Sequence, residues 1–198
     1  MILLLVISLL LPSVHPRCSF SDEDITVRWY VFNDNVTVEY ENRKVTNNHW
    51  TGIGFGRNMN NLEVIIVIIQ DNKPSLVTGF TSGYEAPVLD SHAYAVPEHL
   101  SFSGDKLTLQ LTRPLKATGA RNHSLEGCQT WNFVKEGLYK DGQIMVHQFT
   151  QVPMAVCPRN CTKTSENSGH TASGSSNLLL NLWMFLLQEL CWLFLILY

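Results

Sequence analysis

His49-Trp50-Thr51-Gly52-Ile53-Gly54-Phe55-Gly56-Arg57-Asn58-Met59-Asn60-Asn61-Leu62-Glu63-Val64-Ile65-Ile66-Val67-Ile68-Ile69 is the stretch on which the fold turns. Its second half, Val64 to Ile69, is an unbroken run of β-branched residues. Such a run reads as a strand buried on both faces, and the turn residues Asp71-Asn72-Lys73-Pro74 close it. In the first half, Gly52, Gly54 and Gly56 occupy every second position. On a strand this leaves one side nearly bare of side chains, so that another group can approach the backbone closely.

Outward from this stretch, period-two alternation recurs between Asp24 and Pro153, with no 3.6-residue stripe to compete with it. Val36, Val38 and Tyr40 alternate with Thr37, Glu39 and Glu41. Leu107, Leu109 and Leu111 alternate with Thr108, Gln110 and Thr112, and this strand is expected to stop at Arg113-Pro114, where proline cannot donate to a ladder. Short strands, close turns and the lack of a helical pattern indicate an all-β chain folded as an antiparallel, immunoglobulin-like β-sandwich. One domain is expected over residues 18–157, since roughly 150 residues suffice for a single core and not for two. The Ser-, Thr-, Gly- and Asn-rich segment 158–177 reads as a stalk and spacer unable to bury a core.

Both ends carry targeting patterns. Met1 to Leu11 is apolar apart from Ser8 and is followed by Pro12 and a short polar exit, so residues 1–16 read as a signal peptide. Residues 178–198 form a hydrophobic tail broken by Asn181, Gln188 and Glu189, and no Lys or Arg follows it. A permanent span normally keeps basic residues on its cytoplasmic side. Small residues Asn167-Ser168-Gly169 followed by the polar spacer His170 to Asn177 instead suit a GPI signal attached at Asn167. Glu189 is the objection to any membrane reading, and a transmembrane helix is the alternative. The expected address is the secretory pathway and the extracellular face of the plasma membrane.

Of the five cysteines, Cys191 lies in that tail. Cys18, Cys128, Cys157 and Cys161 would then pair in an oxidising compartment, in any of three ways. Cys18 with Cys157 or Cys161 is favoured, because it closes the longest loop. Zinc has only Cys157-x-x-x-Cys161 to bind it and no second pair at zinc spacing. Sequons at Asn35, Asn122 and Asn160 are candidate glycosylation sites. A formal net charge of −3 and the lack of any Lys/Arg run exclude an electrostatic case for nucleic acid.

The segment His49 to Gly56, followed by Met59 and Leu62-Glu63-Val64-Ile65, resembles the signature of the DOMON family, a strand ending in W-x-G-x-G-F, a loop with a methionine, an acidic position and a buried strand. Thr78-Gly79-Phe80 through Pro87-Val88-Leu89-Asp90 resembles the family's next strand and its P-x-x-D turn. The resemblance runs from about Val27 to about Phe149. It implies that Gly52, Gly54 and Gly56 form the floor of a haem site, as in the cytochrome-type members. Met59 and His147 match the positions of the axial ligands to a b-type haem. On a strand, Met145, His147 and Phe149 are expected to share one face. Thioether and imidazole together favour one-electron transfer over oxygen chemistry, and no open position remains for a substrate. The electron partner would be a separate protein.

No enzyme is read here. Gly-x-Ser-x-Gly is missing, and the glycines at 52–56 precede a strand instead of a helix, which rules out a dinucleotide fingerprint. The rival reading is a haem-free module for a glycan, a small apolar ligand or a protein. Trp29, Tyr30, Trp50, Tyr84, Tyr94 and Trp131 are numerous enough to line such a site, while Trp29, Trp50 and Trp131 equally suit a core.

Overall fold

Four two-residue hairpin loops set the architecture, because each supplies the left-handed backbone that lets antiparallel strands keep their natural twist. Asn33-Asp34, Asp71-Asn72 and Asp141-Gly142 all have positive φ, and Gly104 provides it at the fourth. The computed structural model describes residues 18–117, 123–147 and 151–163. The strands among them are β1 (Ser19–Ser21), β2 (Ile25–Phe32), β3 (Asn35–Asn42), β4 (His49–Phe55), β5 (Asn60–Gln70) and β6 (Lys73–Ser82), followed by β7 (Val88–Leu89), β8 (Pro97–Ser103), β9 (Lys106–Pro114), β10 (Gln129–Lys140), β11 (Gln143–His147) and β12 (Val152–Val156).

They form two antiparallel sheets. One has the order β1-β2-β3-β9-β8; the other runs β11-β10-β4-β5-β6-β7, with β12 also paired to β10. The expected β-sandwich is the fold. Its core lies between the sheets, where Val36, Val38, Leu107, Leu109 and Leu111 meet Ile53, Phe55, Ile65, Val67 and Phe133. Trp131 sits at the centre, with its ring 5.5 Å from that of Trp29 and 5.1 Å from that of Phe55.

Two polar clusters cross this apolar layer. The Tyr40 hydroxyl shares a 2.7 Å hydrogen bond with Thr51 Oγ1, and Asn42 Nδ2 donates to Thr51 Oγ1 at 2.8 Å and to the Lys135 carbonyl at 2.7 Å. Closer to the β4–β5 connection, Arg113 pairs with Glu63, both side chains 1% exposed, and Arg113 also donates to the His123 carbonyl at 2.9 Å. The β9 strand ends at Arg113-Pro114, as expected. Arg113 takes the next inward position after Leu107, Leu109 and Leu111, and Pro114 pairs with Asn35 at the strand's end.

Disulfides join Cys18 to Cys161 and Cys128 to Cys157. Of the two partners favoured for Cys18, Cys161 is the one used. The domain extends past residue 157, because Pro158–Lys163 packs with β2 and is no stalk. Val31 donates to the Cys161 carbonyl at 2.7 Å, Lys163 donates to the Val31 carbonyl at 2.9 Å, and Thr162 bridges Val31 in parallel. Residues 1–16, Asn122, Phe149, Asn167 and the tail 178–198 lie outside the described residues. Among the described residues no helix is long and apolar enough to cross a membrane.

Candidate functional site

Strand parity sends Thr51, Ile53 and Phe55 of β4 into the core and turns Trp50, Gly52 and Gly54 to the outer face of the second sheet. The adjoining β5 is buried on both faces, as its composition requires. Ile65, Val67 and Ile69 face the core, whereas Leu62, Val64, Ile66 and Ile68 join Trp50 and Ile144 in a second apolar cluster outside it. Met59, Val77, Val134 and Tyr139 pack against this outer cluster.

Within it lies an open cleft lined in part by Gly52, Gly54, Val64, Ile66, Met59 and His147. None of its described lining residues is Asp, Glu, Lys or Arg. The glycine floor is tight as well as bare. A Cβ at Gly52 would lie 2.6 Å from the Ile65 carbonyl oxygen, and one at Gly54 would lie 3.2 Å from Leu62 Cδ1. Gly56 does not line the cleft. Its φ of +136° turns the chain off β4 instead, and a Cβ there would strike Leu62 at 2.8 Å.

His147 reaches the cleft through a strand irregularity. Tyr139 pairs with Ile144 and Gly137 with His147, so three steps along β11 match two along β10. This bulge brings Ile144 and His147 to the same side, in place of the expected Met145 and His147. Ile144 is buried and Met145 is exposed accordingly. The imidazole meets Trp50 edge to face, with centroids 6.4 Å apart. Trp50 is itself fixed, since its Nε1 donates to the Met145 carbonyl at 3.0 Å. Its indole lies flat on the backbone of Gly137, where a Cβ would come within 2.3 Å of Nε1.

Met59 reaches the cleft from the β4–β5 loop, which two buried side chains clamp. Asn132 Nδ2 donates to the Gly56 carbonyl at 2.7 Å, and Thr81 Oγ1 donates to the Met59 carbonyl while accepting the Leu62 N–H at 3.0 Å. Sequence reading singled out Met59 and His147, which both line the cleft, and named Trp50 among the aromatic candidates, but gave no role to Gly137, Thr81 and Asn132. An isolated glycine inside a strand pattern was the available signal for Gly137. Thr81 and Asn132 carried none.

The other described histidines lie elsewhere. His49 bonds Thr46 and Asn47, His92 and His99 bond neighbouring serines, and His123 Nε2 lies 2.6 Å from the Asn61 carbonyl oxygen. Among the described residues no three His, Cys, Asp or Glu gather to hold a bare metal ion. Of the aromatic candidates, Trp29 and Trp131 belong to the inter-sheet core, and Tyr84 stands in solvent at 89% exposure.

The DOMON domain model matches residues 21–137. The DOMON domain-containing protein Y73F4A.1 of Caenorhabditis elegans is 33% identical over 149 residues, covering 73% of this chain and 82% of that protein. CBG21755 of Caenorhabditis briggsae, described in the same terms, is 32% identical over 166 residues, covering 81% and 90%. Among solved structures, the cytochrome domain of Myriococcum thermophilum cellobiose dehydrogenase superposes with a TM-score of 0.52 at 12% identity, covering 74% of this chain and 84% of that one. The cytochrome b domain of Coprinopsis cinerea pyranose dehydrogenase does so with a TM-score of 0.51, also at 12% identity, covering 70% and 81%. At that identity the likeness concerns the fold. The chain belongs to the DOMON domain family.

Proposed function

We propose that this domain is an extracellular, membrane-attached module that holds one b-type haem between Met59 and His147 for one-electron transfer at the cell surface. The observation that carries the reading is that these two residues, distant in sequence, line one uncharged cleft whose floor is bare at Gly52 and Gly54. The donor set fits the group. The thioether of Met59 and the imidazole of His147 would hold the haem iron, and the Ile and Val walls would suit the flat, apolar body of a porphyrin. Haem held by both residues would exchange one electron at a raised potential while leaving no position open to substrate.

The chain's own part is placement and exclusion of water. Trp50, held by the Met145 carbonyl, sets one wall against His147, and the Gly56–Leu62 loop brings Met59 to the other side. Two domains named as cytochromes share this architecture, which supports haem as the group held.

Spectra of reconstituted variants test the pair. Met59→Ala and His147→Ala are each expected to abolish the six-coordinate low-spin spectrum and to weaken haem binding, with the melting temperature of the apoprotein little changed. A wild-type spectrum in both variants overturns the assignment.

A further inference from the structure

The loop that carries Met59 is held by side chains where the strand ladder fails. Across β5 and β6, Asn60 pairs with Ser82 and Glu63 with Phe80, so the interval on β5 is one residue longer than on β6. Asn61 has φ +59°, the local twist of such a bulge. A bulge disrupts the backbone bonds that would otherwise fix the neighbouring residues. Here the opposing residue is Thr81, 2% exposed. Its hydroxyl accepts the Leu62 N–H and donates to the Met59 carbonyl, so one buried oxygen joins both sides of the bulge. At the loop's other end, Asn132, 6% exposed, donates to the Gly56 carbonyl. Both residues also line the cleft that Met59 enters.

We infer that Thr81, with Asn132 as its counterpart, is a positioning residue that fixes the Met59 side chain over the glycine floor. The placement of Met59 follows from geometry alone; its consequence for a metal ligand rests on the haem reading above. A hydroxyl that only satisfied the bulge would leave the Met59 thioether indifferent to its removal. A positioning residue would not, because supports of this kind typically alter metal affinity by about 10–100-fold.

Thr81→Val keeps the shape and removes the hydroxyl, whereas Thr81→Ser keeps the hydroxyl. In the full-length apoprotein, carbon-13-labelled at the methionine methyl groups, Thr81→Val is expected to move the Met59 resonance toward its random-coil position, with those of Met145 and Met154 unmoved. Thr81→Ser is expected to leave all three in place. With haem added, Thr81→Val should lose the thioether-ligated spectrum and bind roughly 10–100-fold more weakly, and Thr81→Ser should match wild type. An unmoved Met59 methyl in folded Thr81→Val overturns the inference. Should that variant fail to fold, Asn132→Ala carries the same methyl test with the same two outcomes. If wild type takes up no haem at all, the functional reading fails, while the methyl result still decides the positioning of Met59.

Discussion

A charged side chain in an apolar core is the residue-scale feature that composition does not announce. Arg113, at the end of β9, continues the inward series of Leu107, Leu109 and Leu111. It is tolerated inside because Glu63 accepts one guanidinium nitrogen, the His123 carbonyl accepts another, and the plane lies 5.5 Å from the ring centres of both Phe55 and Tyr94. Burial pushes the Glu63 carboxyl upward, with Arg113 opposing the shift. The acidic position of the family signature is therefore a core partner and not a cleft residue. Removing one member of such a pair strands the other. Arg113→Leu is expected to destabilise the domain by about 3–5 kcal/mol in denaturant unfolding, and the double variant Arg113→Leu with Glu63→Leu to recover most of that loss. Equal destabilisation in single and double variants would contradict this account.

At the scale of elements, much was legible where composition and period agree. The β3 and β9 alternations, the doubly buried β5 and the Asp-Asn turn after it all stand where the sequence puts them. What could not be read depends on pairing between distant strands. The bulge that pairs Ile144 and His147 with Tyr139 and Gly137 has no signature in β11 itself, since alternation there points to Met145. The clamp on Met59 comes from β6 and β10, and Pro158–Lys163 looks like linker until its bonds to β2 are seen.

Coupling of the two sheets is likewise a pairing effect, made by Tyr40 and Asn42 on β3 with Thr51 on β4. Burial pushes the Tyr40 phenol up to about 12, against which its bonds with Thr51 and Asn42 act. Because the folded value lies above the ordinary value of about 10, this group's contribution is complete below about pH 10 and is lost as pH rises through the folded value. Unfolding measured from pH 9 to 12 should show stability falling over that window. Tyr40→Phe is expected to flatten the fall and to cost about 1–2 kcal/mol at neutral pH. A fall of the same size in Tyr40→Phe would assign it to other groups.

For the whole molecule, the fold, the two disulfides and the cleft form one domain that includes Pro158–Lys163. Disulfides of this kind persist in oxidising compartments. The signal pattern expected over residues 1–16 and the GPI signal expected at Asn167 lead to a direct test of the proposed tether. Treatment of expressing cells with a phosphatidylinositol-specific phospholipase C is expected to release the protein into the medium. Retention after treatment, with a control GPI protein released, would favour a helix through the membrane. Under the proposed function, a separate redox partner would approach the face where Tyr84 and Val146, both well exposed, stand beside Glu85 at the mouth of the cleft.

The proposed function depends on occupancy of the cleft. Haem titrated into the refolded, disulfide-intact domain, followed by its absorbance before and after dithionite, tests that most directly. The account predicts saturation at one haem per chain, a low-spin Soret band and a sharp α-band on reduction. Unsaturable uptake with the spectrum of free haem would contradict it.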